Sequence, residues 1–212
     1  MPLDRPLNVA GATRTHPFDG LILCGGQSRR MGSDKAFVEF AGSPLVAQPM
    51  RALNMAEQLV AIGGDRAALE SLGVSYHPDA TESAGPAMAI VDGARQLGDA
   101  ALPTTVVLAC DLPLIDAATV TRLVDIRVRT GADLVVALNQ GRPQWLASAW
   151  RHQSLMTRRA QPSMSIRALL HDLSVCYVVD PSLSVTTLDA DNPKDLAALR
   201  SNVTPVHEVL SR

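Results

Sequence analysis

The sequence predicts a three-layer α/β/α single domain with a mostly parallel central sheet and an antiparallel element in its last third. Short apolar segments of strand length alternate with stretches of helical length, which is the pattern of βαβ units. The length of 212 residues suits one hydrophobic core. Apolar residues make up 47% of the chain and aromatic residues only 3%, so Ala, Val and Leu would fill the layers between sheet and helices.

Seven short, mainly apolar segments are predicted to be strands. They cover residues 21–23, 58–62, 74–77, 104–109, 133–138, 144–150 and 173–179. Asn139 and Gly141 predict a turn, so the strand at 144–150 should pair antiparallel with the strand before it. Trp145 and Trp150 are five residues apart and would lie on opposite faces of that strand. One of them would belong to the core, and the other is a candidate for lining a binding pocket.

Six helices are predicted between and after these strands. They cover residues 44–55, a short segment after Asp65 that ends before Gly73, and residues 86–97, 116–130, 163–171 and 193–201. Asp65, Asp116, Ser163 and Asn192 have side chains suited to capping helix N-termini. Residues 1–17 are predicted to be a flexible leader and residues 202–212 a tail, which leaves residues 18–201 as the domain.

The composition argues against several classes of protein. The net charge is −2, aromatic residues are few and no long basic block occurs, so we expect no nucleic acid as a partner. No apolar run reaches the ~20 residues that span a bilayer. Residues 1–17 lack the apolar core of a secretory signal. We therefore expect no membrane partner and a cytoplasmic location.

Cysteine and histidine spacing predicts neither a metal cluster nor a nucleophilic triad. The three cysteines, Cys24, Cys110 and Cys176, are too widely spaced for a zinc or disulfide motif. The five histidines do not cluster, and no Ser-His-Asp or Cys-His arrangement is visible. Each histidine is expected to be solvated or hydrogen-bonded rather than catalytic.

The most informative segment is residues 21–35, where an apolar strand is followed by two glycines and a group of cations. Gly25 and Gly26 can adopt backbone angles that other residues avoid, and their amides can approach a ligand closely. Arg29, Arg30 and Lys35 follow within ten residues. A strand, a glycine turn and clustered positive charge predict a polyphosphate site.

The spacing of this segment differs from that of two well-known phosphate motifs. In a P-loop the lysine follows a glycine directly, whereas two residues separate Gly32 from Lys35. A dinucleotide-binding fingerprint needs alternating glycines, whereas Gly25 and Gly26 are adjacent. The alternative to a phosphate site is an ordinary Gly-Gly turn followed by solvated basic residues.

A carboxylate and a second glycine pair also follow predicted strands. Asp111 comes directly after the strand at 104–109, and Asp116 is the better cap for the next helix. Asp111 thus has no evident structural role, and its carboxylate suits Mg²⁺, a hard cation. Gly63 and Gly64 either admit a base or ribose closely or form a simple left-handed turn. Ligands of open α/β sheets bind beyond the carboxyl ends of the strands, so these residues are candidates for one site.

Residues 23–35 resemble the signature L-x-G-G-x-S-x-R-M-G-x-D-K of a nucleotidyltransferase superfamily; here they read L-C-G-G-Q-S-R-R-M-G-S-D-K. Within that superfamily the chain resembles the molybdenum cofactor guanylyltransferases, which join GMP to molybdopterin. The resemblance implies a Rossmann-like fold, GTP as the nucleotide, molybdopterin (Mo-cofactor) as the acceptor and Mg²⁺ as the cofactor. It also implies transient contact with proteins that deliver the cofactor or with molybdoenzymes, and a monomer or weak oligomer.

We hypothesise that the first motif binds the nucleotide in two ways. Backbone groups of four residues would contact it: Leu23, Cys24, Gly25 and Gly26. Arg30 and Lys35 would be catalytic cations that hold its phosphates, and Asp111 would act with them as the ligand of Mg²⁺. Cys24 stands where alanine is usual in the family, and because both residues are small we expect little effect.

The resemblance extends to three further segments. C-D-L-P at residues 110–113 matches the D-x-P in which the aspartate, here Asp111, holds magnesium. Residues 188–196 look like the family's D-x-[ND]-x-P-x-D-L, in which Asp191, or alternatively Asp189, would be a second metal ligand. Asp79 matches a position that contacts the nucleotide, and Gly85 matches a glycine that approaches the base. After Gly85 and a proline the chain continues A-M-A, not the family's L-x-G, which leaves base selectivity open.

The implied reaction is attack of the acceptor phosphate on the α-phosphorus of GTP, with release of pyrophosphate. One alternative is cytidylyl or other nucleotidyl transfer to molybdopterin or to another phosphorylated small acceptor, because the glycine loop recognises phosphate rather than base. A further alternative is a nucleotide-binding protein without turnover.

Overall fold

The structure is a computed structural model that describes residues 16–25, 35–78, 84–190 and 193–200. Nine strands lie in these ranges: β1 Asp19–Leu23, β2 Glu39–Phe40, β3 Ser43–Pro44, β4 Leu59–Ile62, β5 Ser75–His77, β6 Thr104–Ala109, β7 Leu134–Asn139, β8 Arg142–Arg151 and β9 Val175–Val178. β2 and β3 form a small hairpin, and the other seven form one sheet in the order β5-β4-β1-β6-β8-β7-β9. All neighbours in it are parallel except β8, which is antiparallel to both β6 and β7.

Helices flank this sheet in the described part of the chain. They are α1 Ala47–Ala52, α2 Arg66–Ser71, α3 Pro86–Leu97, α4 Ala117–Thr130, α5 His152–Met156, α6 Pro181–Thr186 and α7 Pro193–Arg200, with short 3-10 helices at Lys35–Phe37 and Ile166–Leu170. None of the helices in the described ranges is both long enough and apolar enough to cross a membrane. The predicted α/β class with one antiparallel element is confirmed.

Apolar side chains cover both faces of the sheet. Along β1 they alternate: Ile22 packs in a cluster with residues of α1, α4 and α6, whereas Leu21 and Leu23 pack in a cluster with residues of α3. All five residues of β1 are buried, as expected for a parallel strand covered on both faces. Because β1, β4 and β6 are parallel neighbours, their carboxyl ends meet at one edge of the sheet.

The helix predicted at residues 44–55 is shorter than expected. Pro44 pairs with Glu39 in the β2–β3 hairpin, and α1 begins only at Ala47. The hairpin turn is Ala41-Gly42, in which both residues have positive φ, 50° and 79°. The sequence prediction missed this pair of two-residue strands because neither is long enough to show alternation.

The predicted helix at 163–171 is also different. Only Ile166–Leu170 is helical, as a 3-10 helix, and Ser165 rather than Ser163 caps it by accepting a hydrogen bond from the Ala168 amide. Ser163 has a φ of 63°, and its amide donates to the carbonyl of Ala84, 2.8 Å away. Ser163 does not cap the 3-10 helix because it is held against the segment before α3 by this hydrogen bond to Ala84. Two short helices, α5 and α6, were not predicted at all.

Asp133 joins three elements at the amino end of β7. One of its carboxylate oxygens accepts from the Ser154 hydroxyl (2.7 Å), and the other accepts from the amide and hydroxyl of Ser174 (2.9 and 2.6 Å). Arg151 lies 3.2 Å away as an ion-pair partner. Burial acts to raise the pKa of Asp133, but the hydrogen bonds from Ser154 and Ser174 and the charge of Arg151 outweigh it, so the pKa lies below its ordinary value.

We expect Asp133→Asn to lower the free energy of unfolding by about 1–3 kcal/mol at pH 7, because charge-assisted hydrogen bonds to a partly buried group are lost. A depressed folded pKa stabilises the native state above the unfolded pKa of ~3.9 and ceases to do so as pH falls through the folded pKa. The difference in unfolding free energy between wild type and variant, measured by urea denaturation, should therefore decrease as the pH falls from 5 to 3. An unchanged difference at pH 3 would contradict this account.

Candidate functional site

The candidate site lies where β1, β4 and β6 end. The amides of Cys24 and Gly25 both donate to the carbonyl of Ile62, at 2.9 and 3.1 Å, and the amide of Cys110 donates to the carbonyl of Leu23 at 3.1 Å. The two residues that directly follow β1, Cys24 and Gly25, are thereby held between the ends of its two neighbouring strands. Three segments that the sequence analysis picked out separately, at residues 23–25, 63–64 and 110–111, are brought side by side.

Lys35 and Asp111 form an ion pair across this edge of the sheet, although 76 positions separate them in sequence. Each side chain is only 15% exposed. Lys35 opens the 3-10 helix Lys35–Phe37, whose buried Ala36 accepts a hydrogen bond from the Val46 amide (3.0 Å). The ammonium group is therefore held in place by its backbone as well as by its partner.

A second carboxylate lies beside this pair. The amide of Ala190 donates to the carbonyl of Asp111 (3.0 Å), and Ala190 is fully buried. Asp189 precedes it, and Asp111 and Asp189 both line the same cavity. The segment after α6 is thus fixed against the segment after β6, which the sequence pattern alone could not show.

The glycines after β4 form a left-handed turn. Gly63 and Gly64 have φ of 74° and 84°, and the amide of Gly63 donates to the carbonyl of His77 (3.1 Å). A Cβ at Gly64 would lie only 2.9 Å from the Cβ of Cys24. Glycine is required here so that this turn and the turn after β1 can approach each other. Contact of Gly63 with a nucleotide stays a prediction.

Gly85 immediately precedes α3 with a φ of 95°, and Pro86 occupies the first position of that helix. The hydrogen bond from Ser163 to Ala84 ties this turn to the segment before the second 3-10 helix. Gly85 is thereby held at the start of α3. Its predicted approach to a base stays a prediction.

A cavity of about 300 Å³ opens beside Asp111. Its walls are the end of β6 with the turn that follows, the first half of β8 from Pro143 to Ala147, Ile166, and the segment from Thr187 to Asp189. β6 and β8 pair only as far as Leu108 and Ala147. The cavity therefore occupies the space where these two strands no longer pair.

Trp145 and Trp150 do not lie on opposite faces of β8 as expected. Both pack against the cluster that contains Leu21, Trp150 as a fully buried member and Trp145 at its margin. Residues 144–147 of β8 stand opposite a single residue of β7, Ala137, and the extra residues disrupt the two-residue alternation. Trp145 lines the cavity and makes an edge-to-face contact with Tyr177, with ring centroids 6.3 Å apart.

Cys24 and Cys110 directly follow β1 and β6, and both are buried. A hydrogen bond with the Cys24 side chain, together with burial, raises the pKa of Cys110 well above its ordinary value. The Cys110 thiol therefore stays neutral near pH 7 and adds no charge next to Asp111. His152, by contrast, is a structural residue: its ring nitrogens lie 3.0 Å from the Thr105 hydroxyl and 3.1 Å from the Gly98 carbonyl.

Four predicted site residues lie outside the described ranges: Gly26, Arg30, Asp79 and Asp191. In the described ranges, no three His, Cys, Asp or Glu side chains converge on a point that could hold a metal ion. Asp111 and Asp189 still offer two carboxylates among the residues that line one cavity. This donor set fits Mg²⁺, which commonly takes one or two protein carboxylates and completes its shell with water and phosphate oxygens.

Sequence reasoning missed two features of this site. It assigned Lys35 to phosphates and Asp111 to a metal ion without predicting that they pair. It also missed the wall formed by Gln144 and Thr187. The only sequence signal for that wall was the predicted hairpin, because its second strand had to pair with another strand of the sheet.

Comparisons with known proteins agree with this geometry. The family model described as a MobA-like NTP transferase domain matches residues 20–176. A molybdenum cofactor guanylyltransferase from Xanthomonas euvesicatoria is 34% identical over 177 residues, which is 81% of this chain and 87% of that protein.

Two solved structures share the fold at low sequence identity. A molybdopterin-guanine dinucleotide biosynthesis protein A from Archaeoglobus fulgidus is similar with a TM-score of 0.68 and 19% identity, over 87% of this chain and 98% of that one. A 2-C-methyl-D-erythritol 4-phosphate cytidylyltransferase from Thermus thermophilus is similar with a TM-score of 0.63 and 17% identity, over 88% and 98%. The family match covers well over half of the chain, together with the strand ends that form the site, and so the chain belongs to the MobA-like NTP transferase domain family and is a nucleotidyltransferase.

Proposed function

We propose that this protein transfers GMP from GTP to the terminal phosphate of molybdopterin, in a magnesium-dependent reaction that releases pyrophosphate. The observation that carries the proposal is the ion pair of Lys35 with Asp111, which lies between the glycine turn after β1 and the cavity beside β6. The relative named molybdenum cofactor guanylyltransferase supports both the nucleotide and the acceptor.

The acceptor supplies its own nucleophile in this reaction. A phosphate monoester has a second pKa of ~6 and is largely a dianion near pH 7. A general base is therefore unnecessary. The cavity walls agree with this, because none of the described residues that line it is a histidine. The site has to align two anions rather than remove a proton.

The main obstacle is repulsion between the acceptor phosphate and the triphosphate. Two unit charges ~4 Å apart repel by about 4 kcal/mol at an effective dielectric constant of 20. Lys35 lies where the glycine turn and the cavity meet, so its ammonium can exchange the Asp111 carboxylate for a phosphate oxygen. Arg30 is proposed to assist from the same motif.

Asp111 and Asp189 would hold the metal ion, and Asp191 is an alternative or additional ligand. When bound, Mg²⁺ would neutralise charge on the phosphates and on the leaving pyrophosphate. Asp111 is fixed for this role because its backbone is held by Ala190 and its side chain by Lys35.

The acceptor is proposed to enter the cavity between β6 and β8. Trp145, Leu146 and Ile166 give this space an apolar and aromatic wall, which suits a flat heteroaromatic ring. Because Asp111 lines this cavity and pairs with Lys35, the reacting phosphate of a bound acceptor would lie near the Lys35 ammonium. Leu23, Cys24, Gly25 and Gly26 are proposed to bind the nucleotide, with Gly63, Asp79 and Gly85 near its base and ribose.

A cytidylyltransferase is the second candidate. The residues that follow Gly85 and Pro86 are Ala-Met-Ala, and Ala87 is buried while Met88 is half-buried at the start of α3. Ala89 stands where the family's motif has glycine, and its buried side chain, at a turn proposed to approach the base, is the specific observation in favour of a different base. The fold that the chain shares with a protein named a cytidylyltransferase supports this second candidate.

The experiment that tests the proposal is pyrophosphate release from GTP and, separately, from CTP, with molybdopterin-type cofactor as the acceptor and with or without Mg²⁺. We expect release with GTP that requires both acceptor and metal ion. Release with CTP alone would retain the mechanism and reject the guanylyl assignment. Tight GTP binding without release from either nucleotide would indicate a binding protein without turnover.

Lys35→Ala should lower kcat/KM for GTP roughly 10²- to 10³-fold, because one fixed cation at the phosphates is removed. Circular dichroism and the melting temperature should show an intact fold. Arg95→Ala is the matched control, since it also removes an ion pair, with Asp92, but in the last turn of α3. Turnover of Lys35→Ala at the wild-type rate would contradict the assigned role.

Asp111→Asn should weaken metal binding in the presence of GTP by at least tenfold, measured by Mn²⁺ paramagnetic resonance or calorimetry, because a charged oxygen ligand becomes neutral. Asp116→Asn is the control: Asp116 caps α4 by accepting from the Thr119 amide at 2.7 Å, five residues further along. That variant should lose at most ~1 kcal/mol of stability and no metal affinity. Equal metal affinity in wild type and Asp111→Asn would remove Asp111 from the site.

A further inference from the structure

Trp145 makes a ring contact that reaches across a neighbouring strand. Trp145 belongs to β8 and Tyr177 to β9, and β7 lies between these two strands in the sheet. Their rings meet edge to face, with centroids 6.3 Å apart and an angle of 70° between the ring planes. Among the described residues, Trp145 lines the cavity and Tyr177 does not. The contact with Trp145 therefore connects Tyr177 to the cavity.

Strand pairing gives little support to β8 at this position. The register joins β8 to β6 only as far as Ala147, and it joins β8 to β7 at Pro143 and again at Ser148. Trp145 lies between these points, in the bulge, and among the described residues it has no register partner in either strand. A bulge leaves its extra residues outside the regular pairing. The direction of the Trp145 side chain therefore depends on other contacts.

A buried chain of hydrogen bonds holds the backbone of the bulge. The indole N–H of Trp150 donates to the Ser148 hydroxyl (2.9 Å), and that hydroxyl donates to the carbonyl of Trp145 (2.7 Å). Trp150 and Ser148 are both fully buried. These bonds fix the main chain of Trp145 and leave its ring to be held by packing. The contact with Tyr177 supplies that packing from the side of β9, between two partly buried side chains.

Trp145 and Ile166 connect the cavity to one hydrophobic cluster. Both line the cavity, and both pack in the cluster that contains Leu21. Among the described residues that line the cavity, Trp145 is the one aromatic residue. An indole stacks favourably with a flat conjugated ring, whereas a sugar or polyol would have to bring hydroxyl groups out of water. This lining therefore favours a flat ring over a polyol.

We propose that Tyr177 is a positioning residue, which holds the Trp145 indole as a wall that recognises a flat, conjugated ring in the acceptor. This inference rests on the proposed function, because it assigns the acceptor to the cavity beside Asp111. The substrate class is a phosphorylated heteroaromatic molecule rather than a phosphorylated polyol. Without Tyr177 the indole gains alternative orientations, and the acceptor has to order it again on binding, which weakens that binding.

The test compares Tyr177→Leu, which removes the ring, with Tyr177→Phe, which retains it. We expect Tyr177→Leu to raise the acceptor KM about three- to tenfold, as the contribution of an edge-to-face ring pair implies. Tyr177→Phe should stay near the wild-type value. The KM for GTP and kcat at saturating acceptor should not change in either variant. Tyr76→Leu is the matched control, because it removes the chain's other tyrosine from the opposite edge strand, β5.

A double variant distinguishes positioning from a general structural role. If Tyr177 acts through Trp145, Tyr177→Leu should have no further effect on the acceptor KM in a Trp145→Ala background. The anisotropy decay of Trp145 fluorescence should show faster indole motion in Tyr177→Leu; Trp145→Phe separates this signal from that of the second tryptophan. An equal effect of Tyr177→Leu with and without the Trp145 ring would overturn the inference. Impairment of Tyr177→Phe to the same degree as Tyr177→Leu would also overturn it.

Acceptor binding without GTP separates failure of this inference from failure of the proposed function. Calorimetry with molybdopterin-type cofactor gives the affinities of the wild type and of Tyr177→Leu in the absence of turnover. A wild type that binds the acceptor but releases no pyrophosphate would reject the proposed transfer, while weaker binding by Tyr177→Leu would still support the aromatic wall. Equal affinity of the two proteins would overturn the role of Tyr177 and leave the proposed transfer intact. A wild type that binds no acceptor would reject both.

Discussion

Lys35 and Asp111 are brought together by the order of strands in the sheet. Their ion pair joins the segment after β1 to the segment after β6, and the rest of the candidate site is built around these two segments. β1 and β6 are parallel neighbours, so the segment that follows each strand begins at the same edge. The ammonium of one segment then reaches the carboxylate of the other. At 15% exposure both side chains are largely shielded from solvent, so their attraction is screened less than that of a surface ion pair. This attraction helps to hold the two segments side by side.

The antiparallel strand β8 accounts for the cavity beside β6. In a wholly parallel sheet, the strand next to β6 would run in the same direction as β6, and the chain would continue beyond its end into a connecting helix. β8 instead enters from that edge, and its first residues bulge away from β7 before it pairs with β6. The bulge also turns Trp145 toward the same cluster as Trp150. One irregularity in strand pairing thus shapes the cavity and supplies its aromatic wall.

The parts that the sequence predicted well are those with local signals. The helix Pro86–Leu97 and the strand Thr104–Ala109 have the predicted bounds, because Gly-Pro and a continuous apolar run mark them. Asp65 and Asp116 cap the helices that they were expected to cap. The residues 163–171 were misread because Ser163 is held by Ala84, more than seventy positions away, and no local pattern reports such a contact.

The candidate site shows the same division between local and long-range information. Glycines and charged residues directly after strands could be chosen from the sequence, since the carboxyl ends of parallel strands share an edge. The contacts between them could not be predicted from the sequence, because the Lys35–Asp111 and Ala190–Asp111 contacts depend on how three distant segments meet. The predicted opposition of the two tryptophans was wrong for a related reason: a bulge is a property of two strands, and only one of them carries the tryptophans.

The charges at the cavity bear on when an acceptor phosphate can approach. Asp111 and Asp189 both line the cavity, and Lys35 pairs with Asp111. A dianionic phosphate is repelled by carboxylates that lie close to it. Repulsion of about 4 kcal/mol per close pair of charges is enough to exclude the phosphate from Asp111. On the proposed function, the phosphate can reach Lys35 only once cations that accompany the nucleotide have offset the two carboxylates. The pKa of Cys110 is raised by its hydrogen bond with Cys24 and by burial, so the Cys110 thiol adds no further negative charge next to Asp111. On the proposed function, occupation of the nucleotide site thus decides when the acceptor phosphate reaches its reacting position.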